Sequence, residues 1–566
     1  MTLGDILVRQ GKATPDQVSA AVLKQKGDPA RRLDQLLVED GVAAESAVLE
    51  ALGELYSCEV VRSVDDQHLD PSLVAQLPVE WARAHGLLPI RWKGGTAALT
   101  RDPAATAAIE DLALLLGAEL VPVLAPQGEI AKAIERCYFR RKDSAEELLR
   151  DMEEQAPHAE AAPAARTDDL LRMADQAPVT QLVNVILLEA VKARASDVHV
   201  EPFEKSLQVR YRIDGLLYEQ ASPPKHLEAA LVSRLKVMAH LDIAEKRLPQ
   251  DGTARVRVGE REIDIRVSTV PVAEGERVVL RLLNRESALL PLSELGMPAQ
   301  ELAGFRAVIR EPHGVILVTG PTGSGKTTTL YAALRELDTA HSNVLTIEDP
   351  IEYQLPHIGQ MQVKPKIGLT FAQGLRHILR QDPDVILVGE MRDLETAEIA
   401  IRASLTGHLV FSTLHTNDAT SAVVRMVDIG IPPYLLASAL QASLAQRLVR
   451  VLCPACRRQA ALSAEDKAAL GPAASRLAGR PLWQARGCAQ CLGGYRGRQG
   501  LFEFMLADPA IQEAIRTGTG TQEIRRMAVA GGMKTLLDDA VDKVLAGTTT
   551  VAEILRAVGR SGAQQA

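Results

Sequence analysis

The stretch 315-VILVTGPTGSGKTTTL-330 decides the fold. Val315 to Val318 is a short apolar run of the kind that forms a strand covered on both faces. It enters G-x-x-x-x-G-K-T at Gly320 to Thr327, and helix-forming sequence follows. Strand, glycine-rich loop and helix in that order are the context a phosphate-binding loop requires. The glycines let backbone N–H groups curl around phosphate oxygens without a Cβ in the way, and the helix N-terminus adds a field that favours anions. The predicted cradle for ATP is Gly320, Pro321, Thr322, Gly323, Ser324, Gly325, Lys326, Thr327 and Thr328. Lys326 would reach the β- and γ-phosphates, and the Thr327 hydroxyl would hold Mg2+. From about residue 300 strands and helices alternate, which predicts a parallel sheet covered by helices.

Three further motifs flank apolar strands of that sheet. In 381-QDPDVILVGEMRD-393 the strand Val385 to Val388 is followed by Gly389 and Glu390. An ordinary Walker B motif ends its strand on Asp. Here Glu390 stands one position beyond the glycine, and is expected to hold Mg2+ through its waters or to position the attacking water. In 344-VLTIEDPIEY-353 a strand ends in Glu348, Asp349 and Glu352, with Pro350 enforcing a turn. Carboxylates at a strand's carboxyl end sit where open α/β sheets place ligands. Glu348 is the expected general base for water, with Asp349 and Glu352 in support. In 405-LTGHLVFSTLHTND-418 His408 precedes a strand and His415 follows it. Both are expected to be functional, and His415 with Thr416 and Asn417 to sense the γ-phosphate or link it to the next subunit.

Taken together and in this order, the four motifs resemble the secretion-ATPase superfamily, in its GspE- and PilB-like branch. The resemblance covers roughly residues 176–500. It implies an α/β fold: a RecA-like P-loop ATPase domain preceded by an α+β, PAS-like N2 domain. It also implies a homohexamer that couples ATP hydrolysis to movement of a membrane-embedded partner, driving pseudopilus assembly in type II secretion. A PilB-like type IV pilus extension motor is the alternative. The N2 domain shows the family's pattern in 196-SDVHVEPFEKSLQVRYRIDG-215 and 241-LDIAEKRLPQDG-252. The family's trans-acting arginines lie on the last two strands of that domain, here 264-DIRVST-269 and 275-GERVVLRLL-283. Arg266 and Arg281 are the candidates for neutralising charge in a neighbour's phosphoryl transfer, with Arg277, Arg210 and Arg212 behind them.

Of six cysteines, four form 453-CPAC-456 and 488-CAQC-491, with 31 residues between the pairs. Two C-x-x-C knuckles bring four thiolates into a tetrahedron, so Cys453, Cys456, Cys488 and Cys491 are expected to bind structural Zn2+ with no position left open for catalysis. Cys58 and Cys137 have no partner pattern and read as plain thiols. The resemblance places such a tetracysteine site in extension-type motors.

The N-terminus repeats itself: 3-LGDILVRQG-11 and 33-LDQLLVEDG-41 match at an offset of 30 residues. Each copy has helical apolar spacing, ends on glycine, and is followed by a second helix. The repeat resembles the MshEN or GspE N1 module. In MshE-like ATPases two copies of R-L-G-x-x-L-V-x-x-G bind cyclic di-GMP. Here Thr2 replaces the first arginine and Asp34 the second copy's glycine, which weighs against that ligand, although Arg32 is kept. The GspE likeness implies docking to an inner-membrane GspL-like protein, with a GspF-like platform protein as the driven partner.

The 566-residue chain divides accordingly. Residues 1–140 form an N-terminal docking domain, a helical repeat plus a small α/β module. A charged, Ala/Pro-rich linker spans 141–175. The N2 domain spans 176–290, the RecA-like core 291–452, the tetracysteine subdomain 453–499, and a C-terminal part reading as helical 500–566. Apolar residues at 46% and charged at 24% suit a soluble globular protein. A net charge of −8 and 3% aromatics argue against direct nucleic-acid binding, and so against a DNA translocase or packaging motor. No run approaches the roughly 18 apolar residues of a membrane span. Asp5 and Arg9 interrupt the first apolar stretch, so no secretory signal is expected. The expected location is the cytoplasm, attached peripherally to the inner membrane.

Overall fold

The computed structural model describes residues 2–27, 31–74, 77–139, 168–169, 178–258, 261–283 and 290–559. The chain forms two units, Met1–Leu283 and Asn284–Ala566. Among the described residues no helix is long and apolar enough to cross a membrane.

The first unit begins with the repeat, as helices Leu3–Arg9, Pro15–Gly27, Leu33–Glu39 and Glu45–Tyr56. The aligned positions Ile6/Leu36 and Leu7/Leu37 are all fully buried. The replacements have local structural uses. Thr2 caps the first helix in a reciprocal box with Asp5. Asp34 is buried and accepts from Arg32 Nε at 2.9 Å, while Asp102 takes another nitrogen of the same guanidinium. A four-stranded sheet follows, ordered Glu59–Val60, Val121–Leu124, Gly95–Thr100, Leu87–Trp92. This is the small α/β module expected before residue 140. Most of the expected linker lies outside the described residues. Asp168–Asp169 pairs in parallel with Gln250–Val258 as the edge of the next sheet.

That sheet has seven strands: Asp168–Asp169, Gln250–Val258, Arg261–Val272, Gly275–Leu283, Asp197–Pro202, Leu207–Ile213 and Leu216–Ala221. Period-two alternation gives it two faces. Val198, Val200, Val209, Tyr211, Ile265 and Leu280 belong to one apolar core with the helices Pro178–Lys192 and Glu228–Met238. The opposite face carries charge.

The second unit is built on a sheet ordered Gly359–Gln362, Val344–Glu348, Val385–Val388, Leu409–Leu414, Gly314–Thr319, Leu440–Leu452, Tyr495–Leu506. All neighbours are parallel except the last pair. The all-helical reading of 500–566 is corrected at its start: 495–506 is a strand, and the 499/500 boundary falls inside it. A short apolar run such as 501-LFEFM-505 has no helical period to betray it, and pairing along Leu440–Leu452 decides it. The helices Pro509–Arg516, Thr521–Ala530, Leu536–Leu545 and Val551–Val558 share one core with the sheet residues Val315, Leu317, Ile386 and Val410. Between the two long strands lie the cysteine knuckles, a hairpin of Arg458–Ala460 with Leu482–Gln484, and the helix Ala464–Leu470.

Candidate nucleotide-binding site

The phosphate-binding loop leaves the buried strand Gly314–Thr319 and enters the helix Lys326–Arg335 at once. Gly320, Gly323 and Gly325 have φ of 152°, 78° and 87°. A Cβ on Gly320 would stand 2.5 Å from the Gln446 carbonyl oxygen and 2.6 Å from Ser324 Oγ, so close approach demands glycine as firmly as the dihedral does. Ser324 Oγ is buried with no hydrogen-bond partner among the described residues. An orphaned hydroxyl in a glycine loop at a helix N-terminus fits an anionic polyphosphate. Lys326 Nζ donates to the carbonyls of Gly320 (2.7 Å) and Pro321 (3.2 Å). Burial pulls its pKa from 10.5 down to about 8, with Glu390 opposing and Arg447 reinforcing the fall.

Hydroxyl ties hold the neighbouring strand ends in place. Thr319 Oγ1 accepts the Thr416 N–H (2.8 Å) and shares a 2.6 Å bond with Thr416 Oγ1. Thr413 donates to the Gly389 carbonyl at 2.7 Å. Glu390 therefore sits beside the loop that carries His415: its carboxylate lies 2.7 Å from an Arg392 nitrogen and 3.7 Å from His415 Nε2. Burial and the nearby Lys326 depress the His415 pKa below its ordinary value, against the pull of Glu390. Both causes favour the neutral imidazole.

His408 does not join them. Six strand residues separate it from His415, about 20 Å at the rise of an extended chain. It stands at the amino end of Leu409–Leu414, where Nδ1 bonds the Ala403 carbonyl at 2.8 Å, at the end of helix Leu394–Leu405. The structure thus separates the two histidines, and His408 fastens a helix end.

Glu348 ends its strand in a buried net. Tyr331 from the loop's own helix donates to one oxygen, and Thr346 (2.5 Å) and Gln360 (3.1 Å) donate to the other. Three of about four lone-pair positions are therefore taken. Asp349, exposed beyond it, precedes Pro350 through a cis peptide bond, and Glu352 is half-buried. Sequence reasoning missed Tyr331 and Gln360. The one available signal was a tyrosine in a helix that must be buried, whose hydroxyl needs a partner. It also missed Arg447, whose guanidinium donates to the Gln446 carbonyl (3.0 Å) and to both oxygens of Asn417 (2.8 and 3.2 Å). In 444-LAQRLVRVL-452 nothing marks that arginine out from its strand neighbours.

In the first unit, Arg266 and Arg281 are direct cross-strand partners on the charged sheet face. Arg281 Nε reaches Asp197 at 3.0 Å and Arg212 lies 3.6 Å from the same carboxylate. Glu201 pairs with Arg277 (2.5 Å) and Arg210 (2.6 Å).

The four knuckle cysteines have Sγ atoms all within 4.8 Å of one another, with pairs at 3.9, 3.6 and 3.6 Å. A zinc tetrahedron with Zn–S bonds of about 2.3 Å has edges of about 3.8 Å, so the four thiols fit Zn2+. When bound, the ion supplies a crosslink. Arg457, next to the first knuckle, donates to the Gly547 carbonyl at 2.7 Å and stacks on Trp483.

A largely parallel sheet carrying a glycine loop, a lysine and a strand-end glutamate defines a P-loop ATPase. The type II/IV secretion system protein family matches residues 172–556, and the chain belongs to that family. It is an ATP-hydrolysing enzyme. The MshEN domain matches residues 56–144, the four-stranded module rather than the helical repeat before it. Type II secretion system protein E of Aeromonas hydrophila is 46% identical over 87% of this chain and 98% of its own. The type IV pilus assembly ATPase PilB of Myxococcus xanthus is 40% identical over 98% of both chains. Among solved structures, the Legionella pneumophila ATPase DotB superposes with a TM-score of 0.50 at 21% identity, covering 69% of this chain and 98% of its own, a likeness of fold.

Proposed function

We propose that this chain is the hexameric ATPase of a type II secretion system, driving pseudopilus assembly and so protein secretion across the outer membrane. The observation that carries the reading is the meeting of Lys326, Glu390 and the His415 loop at the carboxyl ends of neighbouring strands, in a chain that spans nearly the whole of a secretion-system relative. ATP binds on Gly320 to Thr328. Lys326 releases its two carbonyl contacts and turns to the phosphates. Thr327 and Glu390 would hold Mg2+, which would supply neutralisation of the phosphate charge. Glu348 offers its remaining lone pair to the attacking water, with Tyr331, Thr346 and Gln360 fixing the direction. His415, neutral, reads the γ-phosphate. Arg266 and Arg281 act on a neighbouring protomer's nucleotide.

Residues 1–140 dock a GspL-like inner-membrane protein, placing the motor peripherally on that membrane beneath a GspF-like platform protein. Arg32 pairs with Asp34 and Asp102, which weighs against cyclic di-GMP at the helical repeat without bearing on the MshEN match at residues 56–144. A second reading, a type IV pilus extension motor, is favoured by the full-length match to PilB. Expression in strains lacking either the secretion or the pilus ATPase separates the two. Restored secretion with no restored piliation is the expected result, and the reverse overturns the assignment.

A further inference from the structure

One buried carboxylate at the back of the nucleotide pocket has no part in the chemistry described above. Glu503, on the strand Tyr495–Leu506, is 1% exposed. One of its oxygens accepts the Ala419 N–H at 2.8 Å. The other accepts the Leu536 N–H at 3.1 Å. Ala419 directly follows the His415 to Asp418 loop. Leu536 is the first residue of the helix Leu536–Leu545. The carboxylate thus joins a loop at the pocket to the N-terminus of a helix in the C-terminal bundle.

Among the described residues, two of the loop's other anchors are on the nucleotide side. Thr416 is tied to Thr319 at the end of the P-loop strand. Asn417 is held by Arg447, whose charge lowers the Lys326 pKa and is itself supported by Asp418 and Glu503. Asp418 spends its carboxylate on Thr420 and Ser421, at the start of the next helix. Glu503 leads away from the pocket, to the N-terminus of the helix Leu536–Leu545. Burial pushes its pKa up, and Arg525 with the two N–H donors pulls it back. The helix N-terminus also favours the charged form.

We propose that Glu503 is a positioning residue for ATP hydrolysis, clamping the His415–Asp418 loop against the pocket and tying its placement to the helix Leu536–Leu545. It touches neither substrate nor metal. It acts by fixing where His415, Thr416 and Asn417 stand. The inference rests on the proposed role of His415 at the γ-phosphate, and the two are separable by experiment.

The test uses the full-length assembled protein. Glu503→Gln keeps the side chain's size and places an amide donor where one of two backbone N–H groups must be received. The expected result is full ATP-binding stoichiometry, an ATP affinity within about twofold of the parent, and kcat lower by tenfold or more, as a misplaced loop entails. A merely structural role would lower binding stoichiometry and turnover in proportion, and that outcome overturns the proposal, as does a kcat within twofold. A slow Glu503→Gln beside a fully active His415→Ala sinks the role of His415 and leaves the clamp standing. A fully active Glu503→Gln beside a slow His415→Ala sinks the clamp. If the variant does not fold, hydrogen exchange on the parent protein decides. A non-hydrolysable ATP analogue with Mg2+ is expected to slow exchange in peptides covering both 415–420 and 533–545. Slowing at the first alone overturns the proposal.

Discussion

Lys326→Met should stabilise the nucleotide-free protein while destroying ATP binding. The lysine is held in a half-buried site where its pKa falls from 10.5 to about 8. Its folded-state pKa lies below the unfolded value, so the unfolded chain carries more protons between pH 8 and 10.5. Stability of the parent therefore rises with pH through that window, and the burial cost is fully present at pH 7. The gap corresponds to about 3 kcal/mol at about 1.4 kcal/mol per pH unit. Solvent around a head group that is only partly covered screens much of it. Methionine also forfeits the contacts to the Gly320 and Pro321 carbonyls, about 1 kcal/mol together once water replaces them. What remains is about 1 kcal/mol in favour of the variant, roughly 2 °C in the melting of a domain of this size. Differential scanning calorimetry without nucleotide, following the transition that ADP shifts in the parent protein, reads this directly. The expected advantage is present at pH 7 and shrinks at pH 9.5, and equilibrium dialysis shows no ATP bound. A variant that melts below the parent at pH 7, or whose advantage is the same at both pH values, refutes the burial of a charged lysine as the cause.

Glu390→Gln should bind ATP yet turn over at least a hundredfold more slowly, as loss of a carboxylate at the reacting phosphate entails. A single-turnover rate within tenfold of the parent's would count against its role. Cys491→Ser should take zinc from about one ion per chain to none by elemental analysis and lower the melting point of the second unit; retention of the metal would contradict the four-thiol site. Arg266→Ala should lose most activity alone and recover part of it when mixed with Lys326→Ala subunits, since each supplies what its neighbour lacks. Mixed rings no faster than the average of the two pure variants would argue against action across the interface.

The parallel sheet, its glycine loop and the strand-end acids were legible because each depends on local order: an apolar strand, then a residue type at its carboxyl end. The Ile6/Leu36 and Leu7/Leu37 register was legible for the same reason. What stayed hidden depends on contacts between distant segments. His408 and His415 look alike in sequence, yet a strand puts them at opposite ends of the sheet. Arg447 and Glu503 lie on alternating strands with nothing to distinguish them until the strands pair and bring Asn417 and Ala419 alongside. The stretch 501-LFEFM-505 carries no period long enough to choose strand over helix. Glu348 was legible as a carboxylate at the right place, but the three donors around it come from residues 331, 346 and 360.

The charged face of the N2 sheet also separates two readings that its sequence leaves level. A strand face that serves only solubility keeps its acids in water. Here Asp197, His199 and Glu201 are buried, at 6%, 6% and 4% exposure, beneath a layer of arginines. Arg266 and Arg281 stand directly opposite each other, a like-charge placement that costs stability. Burying carboxylates is tolerable only when they are paired. Asp197 and Glu201 each take two guanidinium groups. An arginine so pinned loses little further freedom on meeting an anion, and Arg281, held through Nε, is the most exposed of the four. That is the property a charge-neutralising group delivered across a protomer interface requires. The face therefore supports a set of pre-positioned arginines better than it supports a solvated surface.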